Sequence, residues 1–198
     1  MSFALIVSVM ISLVVMIASA TLFVRLATGL RQLRQLADLP ERLPAAPPRV
    51  SIVVSALNEA ATLEPALRSL LALDYPDMEI IAIDDRSTDA TGEILDRLER
   101  EDARLRVLHI RELPSGWLGK NHALQRGSEL ASGKYLLFTD ADVVFERGAL
   151  RRAVAHCESE RLDHLVVLAE FIVRERLLAM LLLGGTAFML SRQIGRAH

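Results

Sequence analysis

Cysteine is nearly absent from this sequence, and its scarcity excludes several classes of protein. The 198 residues include one cysteine, Cys157, so no disulfide can form within the chain and a cysteine-based metal site is excluded. We expect Cys157 to lie on a helix as a small apolar residue. The formal net charge is only -2, which gives no electrostatic reason to expect nucleic acid as a partner.

Two common phosphate-binding signatures are also missing. No Gly-x-Gly-x-x-Gly follows a predicted strand, so a dinucleotide-binding fold is unsupported. The stretch from Gly116 to Lys120 is too short for a P-loop, and Asn121 follows it where that motif requires Ser or Thr. Any phosphate site in this chain must therefore use other groups.

Charged residues are absent from the run between Phe3 and Val24. As a helix rising about 1.5 Å per residue, this run would reach about 33 Å, enough to cross a bilayer core. A cleaved signal peptide is the alternative, since Ala18-Ser19-Ala20 resembles a cleavage site. However, no Lys or Arg precedes the run, and the run is longer than a usual signal core. We therefore predict a transmembrane anchor within residues 1–26.

The charges that flank the predicted anchor predict its orientation. Arginines follow the apolar run and none precedes it, so the positive-inside tendency places the rest of the chain in the cytoplasm. Prolines are frequent between Leu39 and Pro48, which predicts a basic, proline-rich linker over residues 27–48. The flanking arginines are Arg25, Arg31, Arg34, Arg42 and Arg49.

From residue 49 onward, short apolar runs alternate with helical patterns. This alternation predicts an α/β domain over residues 49–173, with a mostly parallel sheet and helices on both faces. Pro65 is compatible with the first turn of the first helix. The predicted strands are Val50–Ala56, Glu79–Ile83, Leu105–His109, Tyr135–Thr139 and Leu165–Leu168, and the predicted helices are Thr62–Leu73, a segment from Asp89 to Glu101, Asn121–Leu130 and Ala149–Glu160.

The C-terminal segment, residues 174–198, has a different character. Its apolar run from Leu177 to Leu190 would reach only about 21 Å as a helix, which is too short to span a bilayer comfortably. We expect a helix lying at the membrane interface; a helix buried in the domain and a true span are the alternatives. The sequence stops soon after this run, and we expect the C-terminal part to be truncated.

Acidic or amide side chains follow three of the predicted strands. Asn58 and Glu59 come after the first strand, Asp84 and Asp85 after the second, and a pair of aspartates after the fourth. Ligands of open parallel sheets bind at the carboxyl ends of the strands. The repeated placement is therefore harder to explain by turn preferences than a single aspartate would be.

The aspartates after the fourth strand, Asp140 and Asp142, predict a metal site. Two carboxylates one residue apart can share a hard cation, and Mg²⁺ or Mn²⁺ is commonly completed by phosphate oxygens. Such a metal would neutralise a diphosphate leaving group. The alternatives are solvated turn aspartates, or a phosphatase in which Asp140 attacks phosphorus. In such phosphatases, however, the pair lies near the first strand, and the other acidic clusters would go unexplained.

Four motifs resemble those of family 2 glycosyltransferases with the GT-A fold. They span Val50 to Glu59, Ile83 to Asp89, Phe138 to Asp142, and Gly116 to Leu124. The last is similar to a membrane-bound subset that includes transferases linked to hopanoid or carotenoid biosynthesis. The resemblance covers about 120 residues, from Val50 to about Leu168.

This resemblance implies transfer of a sugar from a nucleotide-sugar donor to a membrane-associated or lipid acceptor. Asp84 or Asp85 would accept hydrogen bonds from the nucleobase or ribose, Asn58 and Glu59 would line the nucleoside pocket, and Lys120 would lie near the diphosphate. The implied donor-binding residues are Asn58, Glu59, Asp84, Asp85, Lys120 and Asp140, and the implied metal ligands are Asp140 and Asp142.

The sequence lacks a match to the segment that carries the catalytic base in this family. Inverting members use a carboxylate well downstream of the metal motif, and no acidic residue after Asp142 has a similar context. We therefore expect the base to lie beyond the end of the chain, and the chain to hold a donor but to transfer sugar poorly. A binding module without transfer activity and a metal-dependent phosphohydrolase or nucleotidyltransferase are the alternatives. The later acids are Glu146, Glu158, Glu160, Asp163, Glu170 and Glu175.

Overall fold

The computed structural model of the chain describes residues 3–32 and 34–169, in two units. In the N-terminal unit a single helix, α1, spans Phe3–Gln32. Its segment Met10–Gly29 is long and apolar enough to cross a membrane by length and composition. The helix continues past residue 26, so its last turns fall within the segment predicted as linker. The predicted apolar helix of residues 174–198 lies outside the described residues.

The second unit, Leu36–Val167, is an α/β domain. After a short 3₁₀ turn at Leu36–Asp38, its chain alternates strands and helices, and the strands form one sheet in the order β3-β2-β1-β4. All three strand pairs are parallel. The elements are β1 (Val50–Ala56), α2 (Leu63–Leu71), β2 (Met78–Asp85), α3 (Thr91–Glu101), β3 (Leu105–Ile110), α4 (Gly119–Leu130), β4 (Tyr135–Asp140) and α5 (Ala149–Glu160).

The two faces of the sheet carry different helices. On one face, Ile52 and Ile80 belong to a buried cluster that also includes leucines of α2, α3 and α5. On the other face, Val53, Ile81 and Ala123 form a smaller cluster under α4. Alternate residues of a strand point to opposite faces, which is why adjacent positions such as Ile52 and Val53 enter different clusters. The prediction of a parallel sheet covered on both faces is confirmed for its central strands.

The α4 face is not fully covered at its β4 edge. Leu136 and Phe138 are about half exposed, and their register partners on β1 are Ser51 and Val53. They therefore lie on the same face as α4, and within the described ranges no element packs over them.

The fifth predicted strand, Leu165–Leu168, is wrong. After α5 the chain turns at Arg161, which has a left-handed φ of 54°, and the described residues that follow contain no strand. Val166 is 66% exposed. A short apolar run has strand character only if a neighbouring edge supplies hydrogen bonds and cover, and this run has neither in the described part of the chain.

Candidate active site

The structure brings the predicted acidic clusters to one edge of the sheet. Asp84 is the second-last residue of β2 and lies beside Ala56 of β1, and Asp140 ends β4 beside Ser55 on the other side of β1. Parallel strands end at the same edge, so the loops after β1, β2 and β4 lie next to one another.

The first carboxylate, Asp84, accepts a protein donor on each of its oxygens. Its Oδ1 accepts the Ser87 backbone N–H at 3.0 Å, and its Oδ2 lies 2.9 Å from Nδ1 of His109 on β3. Burial opposes ionisation, but the hydrogen bonds from Ser87 and His109 outweigh it and lower the pKa of Asp84. Asp84 therefore fixes the turn after β2.

His109 was not identified from the sequence. Its second ring nitrogen lies 2.8 Å from Oδ1 of Asp96 on α3, so the ring bridges two carboxylates. The hydrogen bond to Asp84 is the main cause that raises the pKa of His109. A histidine at the end of a strand gives no sequence signal of this role, because the role depends on the register that places it opposite Asp84.

The second carboxylate, Asp85, pairs with its neighbour in the chain. Its Oδ1 accepts Arg86 Nε at 2.8 Å, and its Oδ2 accepts Arg86 Nη2 at 3.0 Å. The Asp85 side chain is only 4% exposed. A buried carboxylate requires such a partner, and the pairing leaves each oxygen a further acceptor site for a ligand.

The loop after β1 is bonded to the loop after β2. Asn58, with a left-handed φ of 57°, receives the Thr88 backbone N–H on its side-chain oxygen at 2.8 Å. The Glu59 backbone N–H donates to Thr91 Oγ1 at 2.9 Å, while the Glu59 carboxylate accepts the Thr62 hydroxyl. These polar groups hold the two loops together, and they lie at the edge where the predicted nucleoside pocket would be.

The part of the edge formed by β4 and the start of α4 contains Lys120 and the two predicted metal ligands. Helix α4 begins at Gly119, two residues before the predicted start, so Lys120 lies in its first turn, and its Nζ contacts Asp140 Oδ1 at 2.5 Å. Asp140 and Asp142 are both exposed. The described residues contain no group of three or more candidate metal ligands. Two exposed carboxylates nevertheless suit Mg²⁺ or Mn²⁺, which binds few protein groups and takes phosphate oxygens and water as its other ligands.

The downstream acids do not complete a catalytic pair with this edge. Glu158 accepts hydrogen bonds from Lys134 and the Tyr135 hydroxyl, both 2.7 Å away, at the start of β4. That is the opposite end of the strand from Asp140. Glu170 and Glu175 lie outside the described residues.

A parallel α/β sheet with carboxylates after β2 and β4 matches GT-A glycosyltransferase structures. A mannosyltransferase from Pyrobaculum calidifontis, solved with GDP-Man and Mn²⁺, aligns with a TM-score of 0.55 and 26% identity. The alignment covers 70% of this chain and 41% of that one. The family model of glycosyl transferase family 2 matches residues 51–185, and the chain belongs to this family.

Two curated relatives show similar identities. The chain is 32% identical to the putative teichuronic acid biosynthesis glycosyltransferase TuaG of Bacillus subtilis, over 53% of this chain and 40% of that protein. It is 33% identical to a Campylobacter jejuni glucosyltransferase, named as GalNAc(5)-diNAcBac-PP-undecaprenol beta-1,3-glucosyltransferase, over 52% of this chain and 32% of that protein. The match therefore spans well under half the length of either relative.

Proposed function

We propose that this chain binds a nucleotide-sugar through a divalent metal and transfers the sugar to a membrane-associated or lipid acceptor. The observation that carries the proposal is the placement of Asp140 and Asp142. They follow β4 at the edge where the β1 and β2 loops meet, next to Lys120 in the first turn of α4.

In the proposed donor complex, different residues would bind the diphosphate and the nucleoside of the donor. Asp140 and Asp142 would hold Mg²⁺ or Mn²⁺, and the bound metal would supply charge neutralisation for the diphosphate leaving group. Lys120 is within reach of Asp140 and of any phosphate bound there, and the start of α4 adds a favourable dipole for an anion. The mannosyltransferase solved with GDP-Man and Mn²⁺ supports a metal-bound nucleotide-sugar.

The nucleoside would lie against the loops after β1 and β2. Either Asp84 or Asp85 could contact the nucleoside, because each carboxylate has one protein hydrogen bond per oxygen and keeps a further acceptor site on each. Asn58 and Glu59 would shape the pocket wall from the β1 side, since their backbone and side-chain bonds fix the adjoining loops.

The membrane or lipid acceptor is supported by two separate observations. Helix α1 contains a segment that could cross a bilayer, and the Campylobacter jejuni relative is named for an acceptor that carries undecaprenol. The resemblance of Gly116–Leu124 to transferases linked to hopanoid or carotenoid biosynthesis points the same way. We place the domain on the cytoplasmic face, because arginines follow the apolar run and none precedes it.

Donor binding without efficient transfer is the second candidate function. Among the acids after Asp142, Glu158 lies at the other end of β4, away from this edge. A positioned base contributes about 10²–10⁴-fold in rate. A chain that lacks one would bind the donor and turn it over slowly.

The test measures binding of UDP and GDP to the purified chain with Mn²⁺ and with excess chelator. We expect binding to require the metal and Asp142→Asn to weaken it by roughly one to two orders of magnitude, since a direct ligand is lost. Asp77→Asn is the matched control, because Asp77 pairs with Arg49 at the opposite end of the sheet. Undiminished binding in chelator would rule the metal site out.

Product analysis then separates the candidate reactions. With nucleotide-sugar and a membrane extract, radiolabel in the lipid fraction indicates transfer, and free sugar alone indicates a hydrolase. Metal-dependent binding with neither product supports the binding module.

A further inference from the structure

Arg86 has an unusual backbone conformation for a long side chain. Its φ is 63°, in the left-handed region that favours glycine. Such a conformation is strained for a residue other than glycine and persists only where the surrounding structure holds it. The Arg86 backbone N–H donates to the Ile110 carbonyl at 3.1 Å, one residue beyond the β2–β3 ladder. The residue is therefore held in place by the sheet.

The left-handed conformation allows the Arg86 side chain to pair with the residue immediately before it. Neighbouring residues of a strand point to opposite faces, so Asp85 and Arg86 could not meet if the strand continued. The turn at Arg86 brings its guanidinium onto both oxygens of Asp85, in the two-bond arrangement that lysine cannot form.

Helix α4 begins directly against this ion pair. A Cβ atom at Gly119 would lie 2.6 Å from Arg86 Nη2 and 2.8 Å from Asp85 Oδ2. No side chain fits there without displacing the pair. The next residue, Lys120, contacts Asp140. One continuous set of contacts therefore joins the end of β2, the first turn of α4 and the end of β4.

We propose that Arg86 is a positioning residue for the donor diphosphate, acting through Gly119 and Lys120. The Asp85–Arg86 pair fixes where α4 starts, and the start of α4 fixes the Lys120 ammonium over the phosphate side of the site. Arg86 thereby links the nucleoside end of the site to its phosphate end. This inference rests on the proposed donor-binding function.

The test compares diphosphate with monophosphate nucleotides. Arg86→Lys keeps the charge and loses the two-bond geometry, so we expect affinity for UDP or GDP with Mn²⁺ to fall roughly tenfold. Affinity for UMP or GMP should fall by a smaller factor, because these nucleotides would share the proposed Asp85 contact but depend less on Lys120. Arg104→Lys is the control, since Arg104 makes the same two-bond pair with Asp102 before β3, at the other end of the sheet.

A double-variant cycle tests the route through Lys120. If Arg86 acts through Lys120, the losses from Arg86→Lys and Lys120→Met will not add in the double variant. Gly119→Ala, which displaces the pair directly, should give the same diphosphate-selective loss. If circular dichroism shows that Arg86→Lys is unfolded, the Gly119→Ala variant tests the proposal in its place.

The outcomes separate this inference from the proposed function. If the wild-type chain binds no nucleotide, both are overturned. If the wild type binds and the variants lose diphosphate and monophosphate affinity equally, or the cycle is additive, only the role of Arg86 is overturned.

Discussion

At the scale of single residues, the carboxylates at the edge of the sheet differ in the side chains with which they pair. Asp84 pairs with His109, and His109 also pairs with Asp96. The His109 side chain is about one-quarter exposed, so these pairs are partly shielded from solvent. Their contribution to stability should therefore depend on the charge of the imidazole.

His109 should make stability decline as pH rises. Its pKa is raised above 6.5 in the folded chain, so its contribution is fully present below pH 6.5 and is lost as pH rises through the folded pKa. We expect the free energies of unfolding of wild type and His109→Gln, measured with urea from below pH 6.5 upward, to differ less as the pH rises. His164→Gln, at an exposed position after α5, is the control. A difference that grows with pH would contradict the assignment.

Glu79 should act in the opposite direction, at low pH. Burial opposes ionisation of Glu79, but hydrogen bonds from Ser51 and Ser132 outweigh it and lower the pKa from 4.5 to about 2. Its contribution is present above pH 4.5 and is lost as pH falls towards 2.

Glu79→Gln should cost on the order of 2 kcal/mol near neutral pH. The cost should shrink in acid, as measured by urea unfolding at several pH values. Asp77→Asn is a suitable control, because Asp77 pairs with the same Arg49 but is about half exposed, and exposed pairs contribute little. If Glu79→Gln lowered the free energy of unfolding equally at pH 7 and in acid, packing rather than charge would account for the effect.

The sequence was sufficient to predict which residues lie at this edge, but not how they are bonded. Asn58, Asp84 and Asp140 could be placed because the strands that precede them are buried apolar runs, and parallel strands end together. The left-handed turn at Arg86 and the pairing of Asp84 with His109 depend on register and side-chain rotamers. Neither has a signature in a single sequence. The roles of the site residues in donor binding stay predictions.

At the scale of elements, apolar runs with clear boundaries on both sides were predictable, and one short apolar run near the end of the domain was not. The observed bounds of β1 and α5 equal the predicted ones, because each is enclosed by clear polar or turn-forming neighbours. Strand β2 continues to Asp85, beyond the prediction, since its last two carboxylates are buried by pairing. The strand predicted at Leu165–Leu168 failed because its hydrophobic composition could not reveal that a pairing edge was missing.

Helix α4 approaches the sheet closely at Gly127. A Cβ atom there would meet Val53 and lie 2.8 Å from Ile83 Cδ1, and both residues are fully buried. Overpacking of this kind costs about 1–3 kcal/mol, while alanine gains roughly 1 kcal/mol over glycine in a helix. We expect Gly127→Ala to destabilise the domain by about 1 kcal/mol in urea unfolding.

Gln125→Ala is the control for this variant, because Gln125 is exposed on the same helix. It should change stability by no more than about 0.5 kcal/mol. A stabilised Gly127→Ala variant would mean that helix propensity outweighs the contact, and that α4 can move away from the sheet.

At the scale of the whole molecule, the proposed membrane anchor in α1 would determine which side of a membrane the domain occupies. The arginines after the apolar run predict a cytoplasmic domain. Protease added to spheroplasts of expressing cells should therefore leave the domain intact, while detergent-lysed cells should show its digestion. Cleavage from outside, or recovery of a chain that starts near Thr21, would indicate export instead.

The strand order also has a consequence for synthesis on the ribosome. β1 is paired with β2, which follows closely, and with β4, whose Tyr135 lies opposite Val50. Translation delivers roughly 5–20 residues per second, N-terminus first. The nascent chain will thus present the loops proposed to bind the nucleoside well before β4 emerges. Because Asp140 ends β4 and Asp142 follows it, a ribosome stalled before Tyr135 would display a domain that has no proposed metal ligands. Metal-dependent nucleotide binding should then appear as a single step during translation, when the last described strand joins the sheet.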